Sequence, residues 1–365
     1  MKLGIIGLTN VGKTTLFNAI TKSSIATNKS LFSTINPNIG IVAVPDERLN
    51  RLSEVFKPKK TIPAYIEFVD IAGLVKGAGR GEGMGNKFLL QLREVDALIH
   101  VIRFFDDADI AHVENNIDPV RDMETINLEL IVADLESIEK RLESIEKSSR
   151  TLDQQTKTEA EILQKIKLSL EKEIPARNID LSNDELKIIK SLGLLTFKPV
   201  IYLANISEND ISKDINETQS LLDLKQFSGK DNSEMVVVSA KIEDELAQLN
   251  VQDREMFMAE LGISQSGLDQ LIRISYKLLG LISFLTAGTD EVRAWTIKKG
   301  TKAPAAAGKV HSDIERGFIR AETIPYDAFI EIGSFVKAKE KGLVRSEGKA
   351  YIVNDGDIID FRFNV

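Results

Sequence analysis

The sequence predicts an α/β protein: a P-loop parallel-sheet domain, an antiparallel coiled-coil helical hairpin inserted into it, and a small strand-rich module at the C-terminus. Up to about residue 110 short apolar runs alternate with amphipathic stretches, as in a parallel sheet with crossover helices. From about residue 122 the apolar period changes to that of a coiled coil. Beyond about residue 281 short strands and turn dipeptides take over.

In chain order, LGII reads as a strand, TTLFNAITK as a helix and AYIEFV as a strand, followed by helical LLQLREV and the apolar strand ALIHVI. Leu128, Ile131, Leu135, Ile138, Leu142 and Ile145 are then spaced 3, 4, 3, 4, 3. A polar stretch, SSRTLDQQT, precedes a weaker seam through Leu163, Ile166, Leu170 and Ile174. The pattern fits two antiparallel helices with charged outer faces, or one amphipathic helix packed on the sheet. KPVIYLAN and EMVVVSAK return to buried-strand character, so the helical segment interrupts the sheet domain. The last module offers EVRAWTI, AYIV and DIIDFRF as strands, with NDGD as a turn.

Of the 365 residues 43% are apolar and 28% charged, the balance of an ordinary globular chain. A net charge of −8 disfavours a general nucleic-acid or membrane binder, although local patches escape that argument. The absence of cysteine excludes disulfides, thiolate metal sites and thiol catalysis. His100, His112 and His311 lack metal-ligand spacing. The longest apolar stretch, around Leu278 to Ala287, is far short of the ~20 residues of a membrane span. Met1-Lys2 runs straight into the first motif, so no signal peptide and a cytoplasmic location are expected.

That motif is Gly7-x-x-x-x-Gly12-Lys13-Thr14, set between an apolar strand and a helix. The glycines let backbone N–H groups converge on phosphate oxygens at a helix N-terminus. Lys13 supplies a point charge for β- and γ-oxygens, and the Thr14 hydroxyl suits Mg2+. Asp70, ending AYIEFV in Asp70-Ile71-Ala72-Gly73, is placed as the carboxylate that reaches Mg2+, and the Gly73 N–H is offered to the γ-phosphate. The glycine-rich GLVKGAGRGEGMGN after it reads as a switch loop. Thr34, in FSTINPNIG, is placed as a second Mg2+ ligand. Leu74 stands where a water-orienting glutamine would be, which predicts slow intrinsic turnover. Asn10, two residues before Gly12, offers an amide oxygen to a K+ ion shared with the phosphates.

Guanine is usually read by Asn-Lys-x-Asp, whose carboxylate accepts from N1–H and the exocyclic amine. The chain contains no such string; after VIYLA stands Asn205-Ile206-Ser207-Glu208. Adenine presents an acceptor at N1, which a carboxylate repels, so Glu208 must point elsewhere and adenine is held by apolar contact and backbone near Ile206. Ser239-Ala240-Lys241 fits the loop that lies over the base. ATP is expected in preference to GTP, with a GTPase of degenerate base reader as the alternative. A metabolic kinase would need a lid and an acceptor site that the motifs do not supply, and a non-catalytic scaffold would use nucleotide only for folding.

NVGKTTLFNAIT, FSTINPN, VPDERL, VDIAGLVKGAGRGEGMGNKFL, NISE in the base-reader position and TAGTDEVRAWTIKKGTKAPAAAGKVHSDIERGFIRAE resemble the YchF-type Obg-like ATPases over nearly the whole chain. The resemblance implies an OBG-type P-loop domain in 1–121 and 196–280, a coiled-coil insertion in 122–195 and a TGS domain of β-grasp fold in 281–365. It implies ATP hydrolysis with Mg2+ and association with the ribosome, whole or large subunit, through rRNA or protein, with no membrane and no DNA. By position, Asn10, Val11, Gly12, Lys13, Thr14 and Thr15 bind phosphates, Thr14 and Thr34 bind Mg2+, and Ile206 contacts adenine. The thiol regulation often ascribed to the family cannot operate within a chain lacking cysteine. The last module holds 13 Lys/Arg against 12 Asp/Glu while the rest holds 34 against 43, so Lys298, Lys299, Lys302 and Lys309 form a possible RNA-facing patch or a solvated loop.

Overall fold

A computed structural model describes residues 1–27, 38–71, 84–107, 110, 116–147, 153–211 and 218–364. Two compact units emerge, one of residues 1–41 and 67–271, the other of 42–66 and 272–365. The twelve strands described are β1 (Lys2–Ile6), β2 (Ile39–Ala43), β3 (Lys60–Ile62), β4 (Tyr65–Asp70), β5 (Ala97–Arg103), β6 (Val200–Asn205), β7 (Glu234–Val238), β8 (Leu281–Ala287), β9 (Glu291–Lys298), β10 (Phe318–Pro325), β11 (Arg345–Glu347) and β12 (Asp357–Phe363).

The first sheet runs β2-β4-β1-β5-β6-β7, with β4, β1, β5, β6 and β7 parallel. β5 and β6 are buried at every position. Parallel strands covered on both faces need continuous apolar runs rather than alternation, which is what ALIHVI and VIYLAN supply. The P-loop strand β1 lies between β4 and β5, so the loop leaving it opens at the carboxyl edge of the sheet, where α/β proteins place their ligands.

The helical insertion comprises Pro119–Lys147 and Gln154–Leu170, paired by Arg141–Glu159 at 2.7 Å and Lys167–Glu139 at 2.8 Å. Ile131, Ile138, Ile145, Leu163, Ile166 and Leu170 form its buried seam, and Leu135 and Leu142 pack against it. Two seam expectations are corrected: Leu128 is 40% and Ile174 43% exposed, and Ile162 is buried instead. The polar stretch between the helices lies largely outside the described residues. At the root of the insertion Asp134 accepts from the Leu195 and Thr196 N–H groups at 2.8 and 2.7 Å, and buried Asp231 accepts from Arg177 at 2.6 Å and the Tyr202 hydroxyl at 2.8 Å. Each buried carboxylate is thereby hydrogen-bonded, and Asp231 is ion-paired to Arg177 as well.

The second sheet runs β11-β10-β12-β8-β9-β3. β3 joins it by pairing parallel with β9, so segment 42–66, placed by the sequence reading with the nucleotide-binding residues, clusters with the C-terminal unit. Phe284, Phe318 and Phe361 pack with Ala303, Ala306 and Ala307 of the helix Ala303–Val310. Small residues on that helix let the aromatic face of the sheet approach closely. AYIV is not a strand; it contributes a single bridge, Ile352 to Lys302. NDGD does turn the chain, with Gly356 at φ 82° and the Asp357 carboxylate accepting from the Asn354 N–H at 2.9 Å. No described helix is long and apolar enough to cross a membrane.

Candidate nucleotide site

The loop from Gly7 to Gly12 turns between β1 and the helix Lys13–Thr27. Both glycines are needed. Gly7 has φ 152°, and a Cβ there would lie 2.5 Å from the Val101 carbonyl oxygen. Gly12 has φ 95°, and a Cβ there would collide with the Asn205 side chain. Asn10 takes a left-handed φ of 61°, a conformation asparagine tolerates better than most residues.

Lys13 is 7% exposed, and its ammonium donates to the Gly7 carbonyl at 3.2 Å and to the Leu8 carbonyl. Burial lowers its pKa to about 8, opposed by the nearby Asp70 carboxylate. The Thr14 hydroxyl donates to Asp70 Oδ2 at 3.2 Å. Burial pushes the Asp70 carboxyl upward, with the Thr14 hydrogen bond and Lys13 pulling it back. Hydroxyl and carboxylate oxygens brought together at the helix start are hard donors of the kind that suit Mg2+.

A cleft of about 680 Å³ adjoins the loop, a size suited to a nucleotide. Asn10, Gly12, Lys13, Thr14 and Thr15 line its floor; Asn205, Ile206 and Ala240 line its far side. Val11 and Ser239 lie behind this surface at 1% exposure each. The Val11 carbonyl accepts from Asn205, and the buried Ser239 hydroxyl has no protein partner among the described residues. The Asn205 amide bonds at both ends: Nδ2 donates to the Val11 carbonyl at 2.9 Å and Oδ1 accepts from the Ala240 N–H at 2.9 Å. It therefore ties the phosphate loop to the start of the helix after β7. Thr34, Gly73, Leu74 and His112 lie outside the described residues.

Three features are not visible in the sequence. Glu208 forms an ion pair with Lys241 at the rim of the cleft. Phe105, with Asp106 and Asp107, lines another part of its wall. Buried Arg103 holds that wall, donating to the Phe105 carbonyl at 3.1 Å and the Ile110 carbonyl at 3.0 Å, with its guanidinium 4.5 Å from the Phe105 ring centroid. The sequence signal for it is an arginine ending a fully apolar run, and such a residue ordinarily reads as a strand reaching solvent.

Comparison with known proteins adds lineage to this geometry. The family described as "50S ribosome-binding GTPase" matches residues 2–165, and the YchF GTPase C-terminal family, described as "Protein of unknown function (DUF933)", matches 281–364. The "Ribosome-binding ATPase YchF" of Bacillus subtilis (strain 168) is 52% identical over 362 residues, covering 99% of each chain. Its namesake in Escherichia coli O157:H7 is 47% identical over 365 residues, covering 100% of this chain and 99% of that one. The solved Schizosaccharomyces pombe YchF GTPase superposes with a TM-score of 0.89 at 40% identity, over 99% of this chain and 97% of that one.

Proposed function

The chain belongs to the YchF family, and we propose that it is a slow ATP-hydrolysing switch that prefers ATP to GTP and works on the ribosome in the cytoplasm. The observation that carries the base assignment is Asn205-Ile206-Ser207-Glu208 in place of Asn-Lys-x-Asp at a cleft lined by Ile206 and Ala240, and the Glu208–Lys241 pair agrees with it. The carboxylate standing where a guanine reader would be is tied to an ammonium, and Asn205 is engaged with backbone. The base side of the cleft then offers Ile206 and Ala240 as apolar contacts. The names "Ribosome-binding ATPase" of the bacterial relatives support the same activity and partner.

In this reading Asn10, Val11, Gly12, Lys13, Thr14 and Thr15 hold the phosphates, largely through loop N–H groups and the Lys13 ammonium. Thr14 and Asp70, with Thr34, would hold Mg2+, which would supply charge neutralisation, and Gly73 would offer its N–H to the γ-phosphate. Ile206, with Asn205, Ser239 and Ala240 behind or beside it, shapes the adenine site. Water attacks the γ-phosphorus, the bond from that phosphorus to the bridging oxygen breaks, and ADP and inorganic phosphate result. Leu74 can neither donate to nor accept from that water, so kcat for the isolated protein stays below ~1 s⁻¹. Residues 1–121 with 196–280, 122–195 and 281–365 are read as the nucleotide domain, the helical insertion and a TGS module, with segment 42–66 clustering with the last of these.

The description of the S. pombe relative as a GTPase favours a second reading, GTP hydrolysis with a degenerate base reader. Displacement of labelled ATP by ADP and GDP separates the two. ADP is expected to compete at tenfold or more lower concentration; equal competition, or GDP ahead, sinks the ATP assignment. Multiple-turnover phosphate release is expected, and its absence would leave a nucleotide-dependent scaffold.

A further inference from the structure

Resting on the ATP reading, we infer that Lys241 is a specificity-determining residue, and that it sets base choice by engaging the Glu208 carboxylate. The two side chains are 33 positions apart and meet because one amide fixes both supports. Glu208 starts a single 3-10 turn, Glu208–Asp210, three residues after Asn205. Lys241 follows Ala240, whose N–H is held by Asn205 Oδ1 at 2.9 Å. The strand end and the helix start therefore stand at a fixed separation, and the pair closes between them. Both residues line the nucleotide cleft, Glu208 with its side chain 35% exposed and Lys241 with 64%. The hydrogen bond to Glu208, with the negative charges of Glu245 and Asp107 nearby, raises the pKa of the Lys241 ammonium.

The consequence is chemical. A free carboxylate two residues beyond Ile206 would accept from guanine N1–H and its exocyclic amine, and would repel the N1 lone pair of adenine. Paired with Lys241 through Oε2 it is charge-compensated, which weakens it as an acceptor for guanine. The lysine thus weakens a guanine acceptor without removing the acid. An ion pair this exposed has modest strength, so the expected effect is modest as well.

The test compares kcat/KM for ATP and GTP in the full chain. Lys241→Met keeps the aliphatic stem and should lower the ATP-to-GTP ratio about two- to fivefold, the range set by an exposed pair. Lys241→Arg should retain the wild-type ratio. Adding Glu208→Gln to Lys241→Met should abolish the gain for GTP, because no carboxylate then remains to read guanine. Raising ionic strength with tetramethylammonium chloride at constant KCl screens the pair, so the wild-type ratio should drift towards that of Lys241→Met while the variant stays flat. An unchanged ratio in Lys241→Met, or an equal loss for both nucleotides, overturns this role and leaves the ATP reading intact. A wild type that favours GTP overturns that reading, and the role of Lys241 with it.

Discussion

Asn205 donates its side-chain N–H to the Val11 carbonyl at 2.9 Å, joining the end of β6 to the middle of the phosphate loop. The same amide accepts from the Ala240 N–H at 2.9 Å, and Asn205 is 4% exposed. Two loops that share no sequence neighbourhood are thereby set by one side chain. Their partners are buried backbone groups that water cannot readily satisfy, so removing the amide leaves two unmade bonds.

The first prediction follows. Asn205→Ala should destabilise the nucleotide unit by about 2–4 kcal/mol, from ~1–3 kcal/mol for each unsatisfied buried group, part of which water entering the gap recovers. It should also weaken nucleotide binding at least tenfold, because the loop and the base-side backbone lose their common reference. Urea unfolding with and without ADP measures both. A stability change under 0.5 kcal/mol with unchanged ADP affinity would remove Asn205 from this role.

How much of this is legible depends on distance along the chain. Gly7, Gly12, Lys13 and Thr14 act within eight residues, so spacing alone exposes them. Asp70 ends a strand whose alternation is visible, and its bond to Thr14 follows from β4 lying beside β1. The Glu208–Lys241 pair is not legible, because it depends on β6 and β7 being neighbours and on an amide bridging their ends. Three-residue β3 carries too little pattern to be read as a strand. Leu128 fits the heptad spacing yet faces outward, since a seam drawn by spacing says nothing of where packing begins.

A second prediction concerns acid. His100 in β5 is 2% exposed, its ring centroid 5.6 Å from that of Tyr202, and its Nδ1 has no hydrogen-bond partner among the described residues. Burial, helped by the positive charges of Arg177 and Lys13, holds its pKa at about 3 against an ordinary 6.5. Between those values the unfolded chain binds a proton that the folded chain refuses. Stability therefore falls as pH drops below 6.5. The contribution of this group between pH 7.5 and 5.5 amounts to a loss on the order of 1 kcal/mol. Other groups titrate too, so the informative quantity is the difference from His100→Gln, whose urea midpoint should depend less on pH over that interval. Parallel pH dependences in the two proteins would show that His100 titrates normally.

A third prediction concerns monovalent ions. Asn10 lines the cleft from a left-handed backbone position within the phosphate loop. An amide oxygen there can join phosphate oxygens around K+, which would neutralise charge developing between the β- and γ-phosphates. Phosphate release should be faster in KCl than in NaCl of equal concentration, and Asn10→Ala should erase the difference. Equal wild-type rates in the two salts would mean that Asn10 only braces the loop.

The last prediction concerns the partner surface. Lys298 ends β9, Lys299 follows in the turn, Lys302 immediately precedes the helix Ala303–Val310 and Lys309 lies in its last turn. All four are exposed, and none forms an ion pair among the described residues, although the unit is rich in pairs elsewhere, such as the cluster of Arg320, Lys339 and Arg362 around Glu322. Uncompensated ammonium groups on one turn are suited to phosphate oxygens of RNA. Neutralising phosphates releases counterions, so such binding should weaken steeply with salt. Changing Lys298, Lys299 and Lys302 to Ala should leave the ATPase rate unaltered, reduce ribosome co-sedimentation and flatten the slope of log affinity against log salt by about 2, at ~0.7–0.9 for each phosphate no longer neutralised. Because none of the three supports a buried group, weakened binding would not be confused with unfolding. If the triple variant still pellets with ribosomes at unchanged affinity and slope, these lysines are merely solvated, and the ribosome meets the helical insertion or the nucleotide unit instead.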